Sequence, residues 1–124
     1  MRRLATLALV ATMAASAACI DSTGPSGRVE GIYSLQSIDG VRLPYRFSSG
    51  VRLLEEELTL YPDETYEVVS YYDVGSPAIE RGYYTDFNGA LEFESNSGDI
   101  YDGSLSRDVL TQFRAGFRLV YRRE

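Results

Sequence analysis

The chain has 124 residues, which is enough for one domain, and a formal net charge of −6 at pH 7. It contains no histidine, no tryptophan and no lysine, and Cys19 is its only cysteine. These absences exclude a serine–histidine–acid triad, a zinc site built from histidine and cysteine, and a disulfide bond within the chain. We therefore expect a protein that is not an enzyme, with no catalytic residues, no metal and no cofactor.

The first eighteen residues have the composition of an export signal. Arg2 and Arg3 provide a positive start, residues 4–15 form an apolar stretch, and small residues follow up to Ala18. The apolar stretch is shorter than the roughly 20 residues that a membrane-spanning helix needs. The pattern therefore predicts a signal-peptide helix over residues 1–18.

Cys19 follows this segment directly, and the run Ser16-Ala17-Ala18-Cys19 resembles the lipobox of bacterial lipoproteins, with Ser16 where leucine is usual. The resemblance implies cleavage before Cys19 and a lipid anchor on that cysteine. Because Ile20 rather than aspartate follows, it also implies the outer membrane, facing the periplasm, as the location. The alternative is ordinary cleavage after Ala17 or Ala18, which leaves a secreted protein with a free thiol.

Residues 19–28 are polar and rich in glycine, proline and serine, which predicts a lipidated N-terminus followed by a flexible tether. The folded domain is expected over residues 29–124. Without Arg2 and Arg3, ten arginines face eighteen acidic residues, so the mature net charge is near −8. A chain this acidic, without a basic cluster, is a poor partner for nucleic acid. We expect a monomer.

Beyond Val29, short segments alternate between apolar and polar residues with the period of a β-strand and are separated by turn residues. The strongest turn signal is Asn88-Gly89, which suits a two-residue type I′ hairpin. Residues 51–60 are also interpreted as a strand, because Leu58 and Leu60 continue a clean alternation. The pattern predicts an all-β fold, a small antiparallel up-and-down barrel of eight or nine short strands. A tight sandwich is the alternative.

Three stretches resemble the short lipocalin-like domains of bacterial lipoproteins. They are residues 31–44, which begin Gly31-Ile32-Tyr33, residues 58–66 and residues 117–122. In the lipocalin family a Gly-x-Trp on the first strand closes one end of the barrel, and an arginine on the last strand stacks over the ring. The resemblance therefore implies that Tyr33 replaces the tryptophan and that Arg118 or Arg122 is the stacked cation.

The chain contains ten tyrosines, an unusually large number for its length. One interpretation is a ligand pocket lined by aromatic side chains, with apolar rings for contact and hydroxyl groups for orientation. The candidate pocket residues are Tyr66, Tyr72, Tyr84 and Phe93. The other interpretation, which we favour, is structural, since tyrosine forms strands well and fills space in a core.

Two acidic groups are candidates for other sites. Glu55, Glu56 and Glu57 are consecutive and cannot share one face of a strand, so we expect a solvated edge rather than a docking surface. Asp99 and Asp102 suggest calcium binding or a glycosidase pair, but their spacing matches no calcium loop. We interpret these two as turn residues.

Two functions remain in view. The first is a tethered module that binds a small apolar or aromatic ligand, whose signature is a cavity of about 300 Å³ or more. The alternative is a structural lipoprotein with a filled barrel that binds another envelope protein through an exposed patch, for which residues 43–47 are a candidate.

Overall fold

The computed structural model describes residues 28–124, so the predicted signal peptide, Cys19 and most of the tether lie outside the described residues. This part of the chain contains ten strands: β1 (Gly31–Ile38), β2 (Val41–Arg42), β3 (Tyr45–Arg46), β4 (Arg52–Leu60), β5 (Thr65–Tyr72), β6 (Ala78–Phe87), β7 (Ala90–Ser95), β8 (Ile100–Ser106), β9 (Val109–Arg114) and β10 (Phe117–Arg123). Within residues 28–124 no helix is long and apolar enough to span a membrane.

Eight of the strands in this described region close into a barrel. From β4 to β10 each strand pairs antiparallel with the next, and β1 pairs with both β10 and β4, which joins the two edges of the sheet. The two-residue strands β2 and β3 extend the sheet beside β1 and β4. The predicted up-and-down barrel is confirmed, the sandwich alternative is wrong, and the architecture is compatible with a lipocalin-like barrel.

The hairpin predicted at Asn88-Gly89 is present. Phe87 pairs with Ala90, and the two residues between them have φ angles of 54° and 91°. Positive φ at both central positions defines the type I′ turn, whose twist matches that of the flanking strands.

Side chains alternate between the barrel interior and the solvent, as the sequence predicts. Leu91 and Phe93 are buried while Glu92 and Glu94 are exposed, and residues 117–122 on β10 follow the same alternation. The buried apolar side chains form one core: Val29, Tyr33, Leu35, Ile38, Leu53, Leu58, Leu60, Tyr66, Val68, Tyr84, Leu91, Phe93, Leu110, Leu119 and Tyr121. Because glycine has no side chain, Gly82 leaves room in this interior for the Tyr66 ring, whose Cε1 would lie 2.8 Å from a Cβ at that position.

The two ends of the barrel differ. We call the end at which β1 begins and β10 finishes the closed end. Here the Tyr33 hydroxyl donates a hydrogen bond of 2.7 Å to the carbonyl of Val29. At the other, the mouth end, β1, β5 and β9 finish and β4, β6 and β10 begin. Residues 39–50, which contain β2 and β3, connect β1 to β4 at the mouth end.

Candidate ligand pocket

A partly open pocket of about 400 Å³ lies at the mouth end of the barrel. Its wall is mostly apolar and includes a few ionisable and hydroxyl groups. The lining residues are Ile38, Phe47, Leu53, Glu56, Val68, Ser70, Tyr72, Ala78, Ile79, Glu80, Arg114, Ala115, Phe117 and Leu119. Most of them occupy inward-facing positions of β1, β4, β5, β6, β9 and β10, so strand alternation is what brings them together.

A β-bulge in β4 shapes one side of the pocket. The pairing of β4 with β5 shifts between Leu53 and Glu55, where β4 contains an extra residue. As a result Leu53 and Glu56 both lie in the interior, although they are three residues apart and would face opposite sides of a regular strand. The bulge therefore adds an apolar side chain to the pocket beside a buried carboxylate.

Glu56 is at the centre of a buried polar cluster. Its side chain is 2 % exposed and accepts hydrogen bonds from Tyr121, from the Nη2 atom of Arg114 at 2.9 Å and from the Oγ atom of Ser70 at 2.9 Å. Both carboxylate oxygens therefore have donors. A buried charge needs such complete pairing, because removal from water otherwise costs several kcal/mol.

Glu80, on β6, is the second carboxylate that lines the pocket, and it has different partners. Its Oε2 atom accepts a hydrogen bond of 2.7 Å from Tyr66, and its Oε1 atom accepts a longer one, 3.4 Å, from Tyr101. The guanidinium carbon of Arg114 lies 5.9 Å from the centre of the Tyr101 ring. Arg114 is thus paired with Glu56 and is also attracted by Glu80 at longer range.

Burial and neighbouring groups together raise the pKa values of Arg114, Tyr121 and Tyr66. Burial opposes the charge on Arg114, but the Tyr121 hydroxyl and the Glu56 carboxylate more than offset it and raise the pKa of this guanidinium. Burial also raises the pKa of Tyr121 well above its ordinary value, and the nearby Glu56 raises it further. Burial and the hydrogen bond to Glu80 raise the pKa of Tyr66. At neutral pH both phenols therefore remain hydrogen-bond donors.

Aromatic side chains surround the mouth. The Phe47 ring lies 6.1 Å from the Phe117 ring and 6.4 Å from the Tyr72 ring, and Tyr45 packs edge-on against Phe47 at 5.1 Å. Residues 43–47 were the candidate exposed patch, but Leu43, Tyr45 and Phe47 are half-buried against the core. These residues form part of the mouth rather than an exposed apolar surface.

Of the four predicted pocket residues, one lines the pocket. Tyr72 does, whereas Tyr66, Tyr84 and Phe93 are packed inside the core. Tyr66 contacts Phe93 edge-on at 5.3 Å and reaches the pocket only through its hydrogen bond to Glu80. Tyr84 instead donates a hydrogen bond of 2.7 Å to the carbonyl of Tyr61, towards the closed end.

The predicted stacking arginine needs correction. The cation over the Tyr33 ring is Arg123, 5.0 Å from the ring centre, while Arg118 and Arg122 are exposed on the outer face of β10. The alternation of β10 explains this, since only an arginine an even number of residues from Tyr121 points inward. Gly31 does lie beside this pair, with Nη1 of Arg123 2.7 Å from where a Cβ would be.

The interpretation of residues 55–57 as a solvated edge is wrong for Glu56. Glu55 is exposed and Glu57 is half-buried, but Glu56 lies inside the barrel. The signal was in the sequence: Leu58 and Leu60 face inward, and the same alternation continues back to residue 56. Ser70, Glu80 and Arg114 were not identified from the sequence.

Asp99 and Asp102 do not form a paired site. Asp99 lies in the turn before β8, where its backbone N–H donates a hydrogen bond of 3.1 Å to Ser95, and Asp102 is exposed on β8 opposite Glu92. In the region from residue 28 onward no group of three or more acidic, histidine or cysteine side chains is arranged to hold a metal ion.

Comparison of the chain with protein-family models, with curated proteins and with solved structures finds no match.

Proposed function

We propose that this chain is a small-ligand-binding barrel of the lipocalin-like type, and that the mouth-end pocket holds an apolar or aromatic molecule. The observation that carries the proposal is the partly open pocket of about 400 Å³ at the mouth end of the barrel. This volume lies within the roughly 300–1,000 Å³ range of small-molecule sites, which are typically apolar with a few convergent polar groups. The alternative function, a structural or protein-interaction role with a filled barrel, does not require such a pocket.

The arrangement of the polar groups supports the same proposal. Glu56 and Arg114 are held by each other and by Tyr121 and Ser70, so their positions are set before any ligand arrives. Such preorganisation reduces the ordering cost that binding must offset. The half-buried state of Phe47 at the mouth also argues against a protein-docking patch at residues 43–47.

A pair of tryptophan variants tests whether the pocket is the binding site. Ala78 lines the pocket, whereas Ala90 is exposed on β7 outside it. The full chain, purified from the membranes of the cells that produce it, is analysed by native mass spectrometry. We expect a co-purifying small molecule on the unmodified chain and on Ala90→Trp, and its loss from Ala78→Trp. A co-purifying protein with no small molecule on the unmodified chain contradicts the proposal.

We also propose that the protein is an envelope lipoprotein, anchored at Cys19 in the outer membrane and facing the periplasm. The support is the likeness of residues 16–19 to a lipobox, together with the absence of any second cysteine to pair with Cys19. Two or more acyl chains at one residue hold a protein stably on a bilayer. Cys19→Ser should therefore move the protein to the soluble fraction, and unchanged partitioning into membranes contradicts the anchor.

A further inference from the structure

Glu80 is the charged group of the pocket that forms no ion pair within 4.0 Å, although the more distant Arg114 guanidinium still attracts it. Five ion pairs within 4.0 Å occur among the described residues, and none includes Glu80. Its hydrogen-bond partners are the neutral hydroxyl groups of Tyr66 and Tyr101. These hydroxyl groups bring no positive charge to Glu80, and its side chain lines the open space of the pocket.

Arg114 does not neutralise both carboxylates. Its Nη2 atom is bonded to Glu56 at 2.9 Å, and its guanidinium is 5.9 Å from the ring of Tyr101. The charged side chains that line the pocket are Glu56, Glu80 and Arg114, which together carry one net negative charge. The same pairing leaves Arg114 poorly placed to receive an anionic ligand, because that ligand would meet two carboxylates beside one guanidinium.

The remaining wall suits a ligand that is apolar apart from one positive charge. Phe47, Tyr72 and Phe117 present aromatic rings to the pocket. Such rings offer a large apolar surface against which the uncharged part of a ligand packs. Aliphatic side chains such as Leu53 and Leu119 provide the apolar surface on which the rest of the ligand packs.

We infer that the pocket binds small apolar amines in their protonated form, with the ammonium group at Glu80 and the apolar portion among the mouth aromatics. This inference rests on the proposed function and narrows its ligand class. It follows from the charge balance of the pocket: a cationic ligand neutralises the excess negative charge, whereas a neutral or anionic ligand does not.

The test compares three probes of one chain length and different charge on the full chain: octylammonium, 1-octanol and octanoate. Binding is measured by isothermal titration calorimetry. We expect octylammonium to bind at least about tenfold more tightly than 1-octanol, as one partly desolvated ion pair predicts, and octanoate to bind most weakly. Glu80→Gln, which keeps an acceptor for Tyr66, should abolish the preference, and Glu92→Gln on the exposed face of β7 should keep it.

Each other result has a definite meaning. Equal binding of octylammonium and 1-octanol overturns the charge preference and leaves a ligand-binding barrel. Tightest binding of octanoate also overturns it and assigns recognition to Arg114. Binding of none of the three probes counts against both the preference and the proposed function. Since the probe series on the unmodified chain decides between these outcomes, the test does not depend on the folding of Glu80→Gln.

Discussion

The guanidinium carbon of Arg123 lies 5.0 Å from the centre of the Tyr33 ring, and this contact closes the barrel at the end where the described chain begins and finishes. The same side chain donates hydrogen bonds to the carbonyls of Glu30, at 2.7 Å, and Arg28, at 3.0 Å. Arg123 therefore fastens the segment that precedes β1 to the last strand, while its charge lies over the Tyr33 ring.

Arg123→Ala should lower the free energy of unfolding by about 2.5–3 kcal/mol. The variant loses a cation–π contact worth about 0.5–1 kcal/mol and hydrogen bonds worth about 1 kcal/mol each. Arg122→Ala, on the exposed face of the same strand, is the matched control and should change it by no more than about 0.5 kcal/mol. Urea denaturation measures both. Equal effects of the two substitutions contradict the role assigned to Arg123.

Glu56→Ala should destabilise the barrel by about 3 kcal/mol or more, because it leaves Arg114 in the interior without its carboxylate. Glu55→Ala changes the same residue type one position earlier, on the exposed face, and should have little effect. In the double variant Glu56→Gln/Arg114→Met neither charge remains buried, so it should be more stable than Glu56→Ala. Thermal or urea unfolding of the three variants checks this order, and similar losses for Glu55 and Glu56 contradict it.

Gln112→Met should leave the stability unchanged or raise it by about 1 kcal/mol. Gln112 is fully buried, and among residues 28–124 neither its amide nitrogen nor its amide oxygen has a hydrogen-bond partner. Burial of an unpaired polar group costs about 1–3 kcal/mol, which methionine, of similar shape, avoids. Gln36→Met on the exposed face of β1 is the control. A clear loss of stability in Gln112→Met alone would show that the amide has a partner inside the barrel.

The fold should lose stability in alkaline solution, starting near pH 10. Burial, followed by the charges of Glu30 and Glu64, raises the pKa of Tyr84 to about 12, from an ordinary value of 10.0. Between these values the unfolded chain releases this proton and the folded chain keeps it, so the free energy of unfolding falls as the pH rises. Tyr66 and Tyr121 act in the same direction.

Tyrosinate absorbance and circular dichroism, followed together from neutral to strongly alkaline pH, measure this effect. We expect part of the tyrosinate signal to appear only as the barrel unfolds. In Tyr84→Phe the fall in stability between pH 10 and pH 12 should be shallower than in the unmodified chain. An equally steep fall would mean that Tyr84 does not keep its proton in the folded state.

The barrel could be predicted from the sequence because turns and strand faces are specified by residues that are close together in the chain. Asn88-Gly89 specifies a turn by its backbone preference, and Leu91 and Phe93 specify a face by their spacing. The burial of Glu56 was not predicted. The expectation that acidic residues are solvated outweighed the alternation that places Glu56 in the interior.

The partners of that charge could not be predicted from local pattern. Arg114 and Tyr121 are 58 and 65 residues from Glu56 in the chain, and only the register of a closed barrel brings them together. Glu80 likewise depends on Tyr101 and Tyr66, which lie on two other strands. The sequence predicted that an arginine of the last strand stacks over Tyr33. Choosing Arg123 among the arginines of β10 required the alternation of that strand as well.

Both ends of the described chain lie on the side of the barrel away from the pocket. Arg28 is held there by Arg123, and the backbone N–H of Glu124 donates to the carbonyl of Ile32 on β1. The two ends of the described chain are therefore separated from the pocket by the length of the barrel. A change in residues 39–50 or in the turns at the mouth can therefore reshape the pocket without touching the contacts that hold Arg28 and Glu124 at the far end.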